Sequence, residues 1–98
     1  MVRPIKPRFL ACSPAVSYFK PRGIPLRALE EVVLLSDEFE AIRLRDVDDL
    51  DQTTAAQKMG ISQPTFARIL GRAYKKIAQA LVLGKAIRIE KNKDNRDS

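Results

Sequence analysis

Six side chains within a short span hold the chemistry of this sequence: Gln63, Thr65, Arg68, Arg72, Lys75 and Lys76. Each can donate hydrogen bonds, and four are cations. No acid stands anywhere from Ser62 to Leu83. An arginine fork fits the guanine edge and a glutamine amide fits adenine, whereas a lysine ammonium suits a phosphate. The pattern points to recognition of a polyanion rather than to bond making. Catalysis is not expected. The chain has no histidine, and so no ordinary proton shuttle near neutral pH. Cys12 has no histidine beside it. The acids gather on one amphipathic segment, where solvation and dipole complementarity account for them. No metal site and no cofactor are expected.

Such side chains need a rigid element to aim them. The stretch Gln52–Leu70, QTTAAQKMGISQPTFARIL, reads as a helix, a tight turn at Met59-Gly60-Ile61, and a second helix. Asp51 is the expected cap of the first helix, with Ala55, Ala56 and Met59 inward. Gly60 permits the left-handed turn, and Ile61 plugs the corner. Ser62 caps the second helix, and Pro64 falls in its first turn, where a missing amide costs little. Phe66, Ile69, Leu70, Ala73, Ile77 and Leu81 form an apolar stripe at spacings of three and four. That helix runs to about Val82, with Gly84 as its terminator. A small residue at the crossing, glycine in the turn and apolar packing positions together make a helix-turn-helix. Gln63, Thr65 and Arg68 then lie near the leading end, placed to read base edges in a major groove. Arg72, Lys75 and Lys76 lie further along and suit backbone phosphates.

The charge is unevenly laid out. The net charge is +6. Residues 1–29 hold Arg3, Lys6, Arg8, Lys20, Arg22 and Arg27 and no acid. Residues 30–51 are acidic, relieved only by Arg43 and Arg45. Residues 52–98 are basic again. A basic face beside an acidic one would steer a polyanion to one side. Residues 1–25 hold Pro4, Pro7, Pro14, Pro21 and Pro25, so they read as an extended basic arm. Arg3, Lys6 and Arg8 of that arm are candidate DNA contacts. Leu26, Leu29, Val32 and Val33 follow helical spacing, which predicts a short helix after Pro25. Ser36 or Asp37 caps the next helix, with Asp37 and Glu40 at capping-box spacing. Phe39, Ile42 and Val47 are expected on its inner face and Leu44 at its edge. Residues Ala86–Glu90 read as a short strand that pairs with Arg8–Cys12, either within one chain or across a dimer. The tail 91–98 reads as disordered.

The organisation expected is therefore an arm over 1–25, a helical domain over 26–83, a strand over 84–90 and the tail. The fold class is mainly α, a helix-turn-helix bundle with an extended arm and a short two-stranded pairing of the termini. No apolar run approaches the roughly 20 residues that span a bilayer, and the lone cysteine suits a reduced cytoplasmic compartment.

The string YFKPRGIPLRALEEVVLLSDEFEAIRLRDVDDLDQTTAAQKMGISQPTFARILGRAYKKIAQALVLGKAIRIE, with the opening Arg3-Pro4-Ile5-Lys6-Pro7-Arg8, closely resembles uncharacterised protein family 0251, also called domain of unknown function 134. The resemblance covers about residues 3–90. It implies a DNA-binding protein whose helical part is similar to region four of primary-class sigma factors, with the helix Ser62–Leu83 as the recognition helix. Some members carry paired cysteines in the arm. Pro7 and Ala11 stand in those places here and Cys12 is offset, so no metal role carries over.

The function expected is sequence-specific binding of double-stranded DNA by a transcriptional regulator. The alternative is a module that docks on RNA polymerase or on a sigma or anti-sigma-type partner through its acidic helix. A single copy and a two-fold homodimer both remain open.

Overall fold

The computed structural model describes residues 16–25 and 28–90. Two strands come first, β1 (Tyr18–Phe19) and β2 (Glu31–Leu34). Helix α1 (Ser36–Ile42) runs on into a π turn over Arg43–Val47. Helices α2 (Gln52–Met59) and α3 (Gln63–Leu83) follow, and β3 (Ala86–Ile89) closes the order. The fold is mainly α, with a small three-stranded sheet. The central strand β3 pairs antiparallel with β1 and parallel with β2. The predicted partner of the last strand, Arg8–Cys12, lies outside the described residues, as does the tail 91–98.

Local chemistry sets the helix ends as the sequence predicts. The Asp51 carboxylate accepts from the Thr54 amide at 2.8 Å, and this bond holds the Asp51 carboxyl below its ordinary value. The Ser62 hydroxyl accepts from the Thr65 amide at 3.2 Å. Gly60 and Gly84 take the left-handed conformation, with φ of 72° and 69°. There a Cβ would strain the backbone, and each glycine stops its helix.

Three expectations on the N-terminal side fail. Residues 31–34 form a strand, not part of a helix. Val32 and Val33 are β-branched and suit a pleated strand. Pairing with β3, more than fifty residues away, outweighs a brief helical spacing. The cap of α1 is Leu35, not Ser36 or Asp37. Its amide donates to Glu38 Oε1 at 2.9 Å, so the closing acid is Glu38 rather than Glu40. Val47 is 71% exposed, while Leu44 is buried. The π turn causes that exchange. The Asp48 amide donates to the Arg43 carbonyl, five residues back, and the wider turn shifts the phase of the side chains.

The core has two connected parts. Ala41, Leu44, Ala55, Ala56, Phe66, Ile69 and Leu70 fill the space between α1, α2 and α3. Leu34, Ala73 and Ile89 join the sheet to α3, and Ile42 touches both clusters. Phe66 is fully buried and Ile61 packs against the same cluster. Leu81 departs from the predicted stripe. It is 77% exposed, and Val82 and Leu83 are exposed with it. The inner face of α3 is buried or half-buried as far as Ala80.

Candidate nucleic-acid interface

Helix α3 positions the candidate side chains, and the burial of Phe66 fixes its rotation. At 100° per residue, Arg68 and Lys75 lie about 160° and 180° from Phe66, on the face opposite the core. Both are exposed, and neither has an ion pair among the described residues. They stand seven residues apart, so they align along one ridge. Gly71 and Gln79 are exposed on the same side.

The leading end of α3 carries a connected set of hydroxyls and cations. Ser62 Oγ donates to Thr65 Oγ1 at 2.9 Å, and Arg68 Nη2 donates to the same Thr65 oxygen at 3.3 Å. Thr65 therefore holds Arg68 against the first turn. Gln63 is exposed, and its Oε1 accepts from Thr53 Oγ1 of α2 at 3.3 Å. Its amide nitrogen is left to donate outward. Gln63, Thr65 and Arg68 thus share the leading end of α3, as expected.

Lys76 does not belong with them. Its ammonium donates to Glu38 Oε1 and to the Val33 carbonyl, each at 2.7 Å. It lies about 80° from Phe66 on the helix wheel, toward the flank that meets α1 and β2. Lys76 thus ties α3 to α1 and β2. Arg72 is intermediate. Its Nε lies 3.3 Å from Glu38 Oε2, yet its side chain is 52% exposed. Arg3, Lys6 and Arg8 lie outside the described residues.

Glu38 is the residue that the sequence concealed. It has no exposed surface and joins α1, β2 and α3 through Leu35, Lys76 and Arg72. Burial alone would raise its carboxyl. The bonds from Lys76, the Leu35 amide and Arg72 together outweigh burial and hold it below its ordinary value. The available signal was its place as the third helical residue after Leu35, where a carboxylate can return to the cap amide. On the other flank of α3, Tyr74 donates to Asp46. Burial and that bond raise the Tyr74 hydroxyl. The acids thus meet α3 along its flanks, and the ridge of Arg68 and Lys75 has none on it.

Among the described residues no group of three or more His, Cys, Asp or Glu could hold a metal ion. No helix among them is long and apolar enough to cross a membrane.

A family model described as "Protein of unknown function DUF134" matches residues 1–96. A UPF0251 protein of Caldanaerobacter subterraneus subsp. tengcongensis is 56% identical over 90 residues, which cover 92% of this chain and 76% of that protein. UPF0251 proteins of Moorella thermoacetica and Desulforudis audaxviator show the same 56% identity over 90 residues. The chain spans only 60% and 59% of their lengths. No solved structure matches.

Proposed function

We propose that this chain, which belongs to the DUF134 family of proteins of unknown function, binds double-stranded DNA sequence-specifically as a transcriptional regulator. Helix α3 is the recognition helix of a helix-turn-helix and enters the major groove. The observation that carries this reading is the outward ridge of α3. It presents Arg68 and Lys75 with no acid on the helix, while the acids are drawn to its flanks. A solvated helix of this length would ordinarily mix both signs.

The roles follow from position. Gln63 and Arg68, at the leading end, face base edges. Arg68, steadied by Thr65, suits a guanine. Lys75, two turns later, meets backbone phosphate and so positions without specifying. The arm residues Arg3, Lys6 and Arg8 would follow the backbone or enter the minor groove. This is a binding function and asks no catalytic group of the chain. A second reading, docking on RNA polymerase or a sigma-type partner, draws support from the acidic turn Asp46–Asp49, where Val47 stands exposed.

Selection of binding sites from random duplexes tests the roles. Arg68→Ala should cost about 1–3 kcal/mol and relax preference at one base position. Lys75→Ala should weaken all sequences alike. If both variants altered the same base preference, the assignment of reader and anchor would be wrong.

A further inference from the structure

Glu38 is the only fully buried charged side chain among the described residues, and its arrangement explains more than packing. The carboxylate is pinned by the Leu35 amide at 2.9 Å and by Lys76 at 2.7 Å. Lys76 is itself held by the Val33 carbonyl. One cation already neutralises this one anion. Arg72 is a second cation on the same carboxylate, so one positive charge is left over at the edge of α3.

Arg72 meets Glu38 through Nε. Its two terminal nitrogens have no other partner among the described residues, and the side chain is half exposed. A guanidinium gripped at Nε keeps its outer fork for a second anion, and a phosphate oxygen pair fits that fork in two parallel bonds. A lysine in the same place would have to divide one ammonium between two anions. An unheld arginine loses rotamer freedom when it binds, whereas here the loss accompanies folding.

We infer that Glu38 is a positioning residue, which holds Arg72 as a preassembled fork for one phosphodiester of the DNA backbone. This rests on the proposal that α3 binds duplex DNA. Glu38 acts through Arg72 and does not touch the DNA.

A double-mutant cycle read by fluorescence anisotropy on a selected duplex tests the inference. The background Glu38→Met/Lys76→Met removes the buried acceptor and its neutralising cation together, so that no charge is left unpaired. In the native protein, Arg72→Ala should weaken binding about tenfold and reduce the salt slope by about one. In the paired background the same change should cost less than about threefold, because Arg72 is no longer held. Arg72→Lys should bind as weakly as Arg72→Ala. If the paired background does not fold, Glu38→Asp serves in its place. It keeps the charge but draws the carboxylate back by one methylene, and it should reproduce the Arg72→Ala loss. Equal losses in both backgrounds, or native affinity in Arg72→Lys or Glu38→Asp, would overturn the positioning role. If the native protein itself bound no duplex, the DNA-binding reading would fail first, which is a separate result.

Discussion

Gly71 stands in the middle of α3, where helix propensity argues against it. Its φ is not positive, and a Cβ built there meets nothing within 4 Å. Neither a turn nor close packing inside the chain therefore requires glycine. On the helix surface it neighbours Arg68 and Lys75, three residues before and four after. A partner lying close against the helix would account for it, since the missing side chain lets a groove wall approach. Gly71→Ala should thus separate two quantities that usually move together. It should stabilise the fold by about 0.5–1 kcal/mol, since alanine is the better helix former. It should weaken DNA binding several-fold. Urea unfolding and an anisotropy titration on the same preparation give both values. Unchanged affinity in Gly71→Leu would show that nothing approaches the helix there.

At the scale of elements, the pair α2 and α3 was legible because its signals are local. Asp51, Gly60, Ser62, Pro64 and Gly84 act on the residues beside them, and each does so in the structure. Phe66 anchors the crossing of the two helices. Phe66→Ala should cost about 3–5 kcal/mol in urea unfolding, and a loss below about 1 kcal/mol would mean that α3 is rotated from the position described. What the sequence hid depends on distant partners. Strand β2 exists through its register with β3, Val32 opposite Ile87 and Leu34 opposite Ile89. No short window of sequence contains that pairing. Lys76 looked like the neighbour of Lys75 in a basic run, but Glu38 is 38 residues away from it. Counting the wheel from Phe66 would have parted the two lysines. The exchange of Val47 for Leu44 comes from the π turn, which helical spacing does not foresee.

Glu38 also links these elements to pH. Its carboxyl sits below its ordinary value of 4.5 in the folded chain, so the unfolded chain takes up its proton first. The stability it contributes is complete above that ordinary value. It is lost as pH falls through the lower folded value. The groups facing it are the Lys76 ammonium, the Arg72 guanidinium and the Leu35 amide. The native protein should lose stability on acidification below about pH 4.5, and Glu38→Gln should lose less over the same interval. Chemical denaturation at a series of pH values measures both. Parallel curves for the two proteins would remove Glu38 from the account.

Over the whole molecule, charge is sorted by element rather than mixed. The acids of residues 30–51 lie on β2 and the residue before it, on α1, in the turn after it and at the cap of α2. Where they meet α3 they hold Arg72, Lys76 and Tyr74 at its flanks. The outward ridge of α3 is left cationic, and a net charge of +6 lies behind it. Such a field favours one side for a polyanion and strengthens as salt is removed. The most direct measurement is therefore the salt dependence of duplex binding. If the ridge, the Arg72 fork and the basic arm together neutralise about five phosphates, log K against log salt should fall with a slope of roughly −4 to −5. A slope near zero, measured by fluorescence anisotropy on duplex DNA, would contradict the central claim.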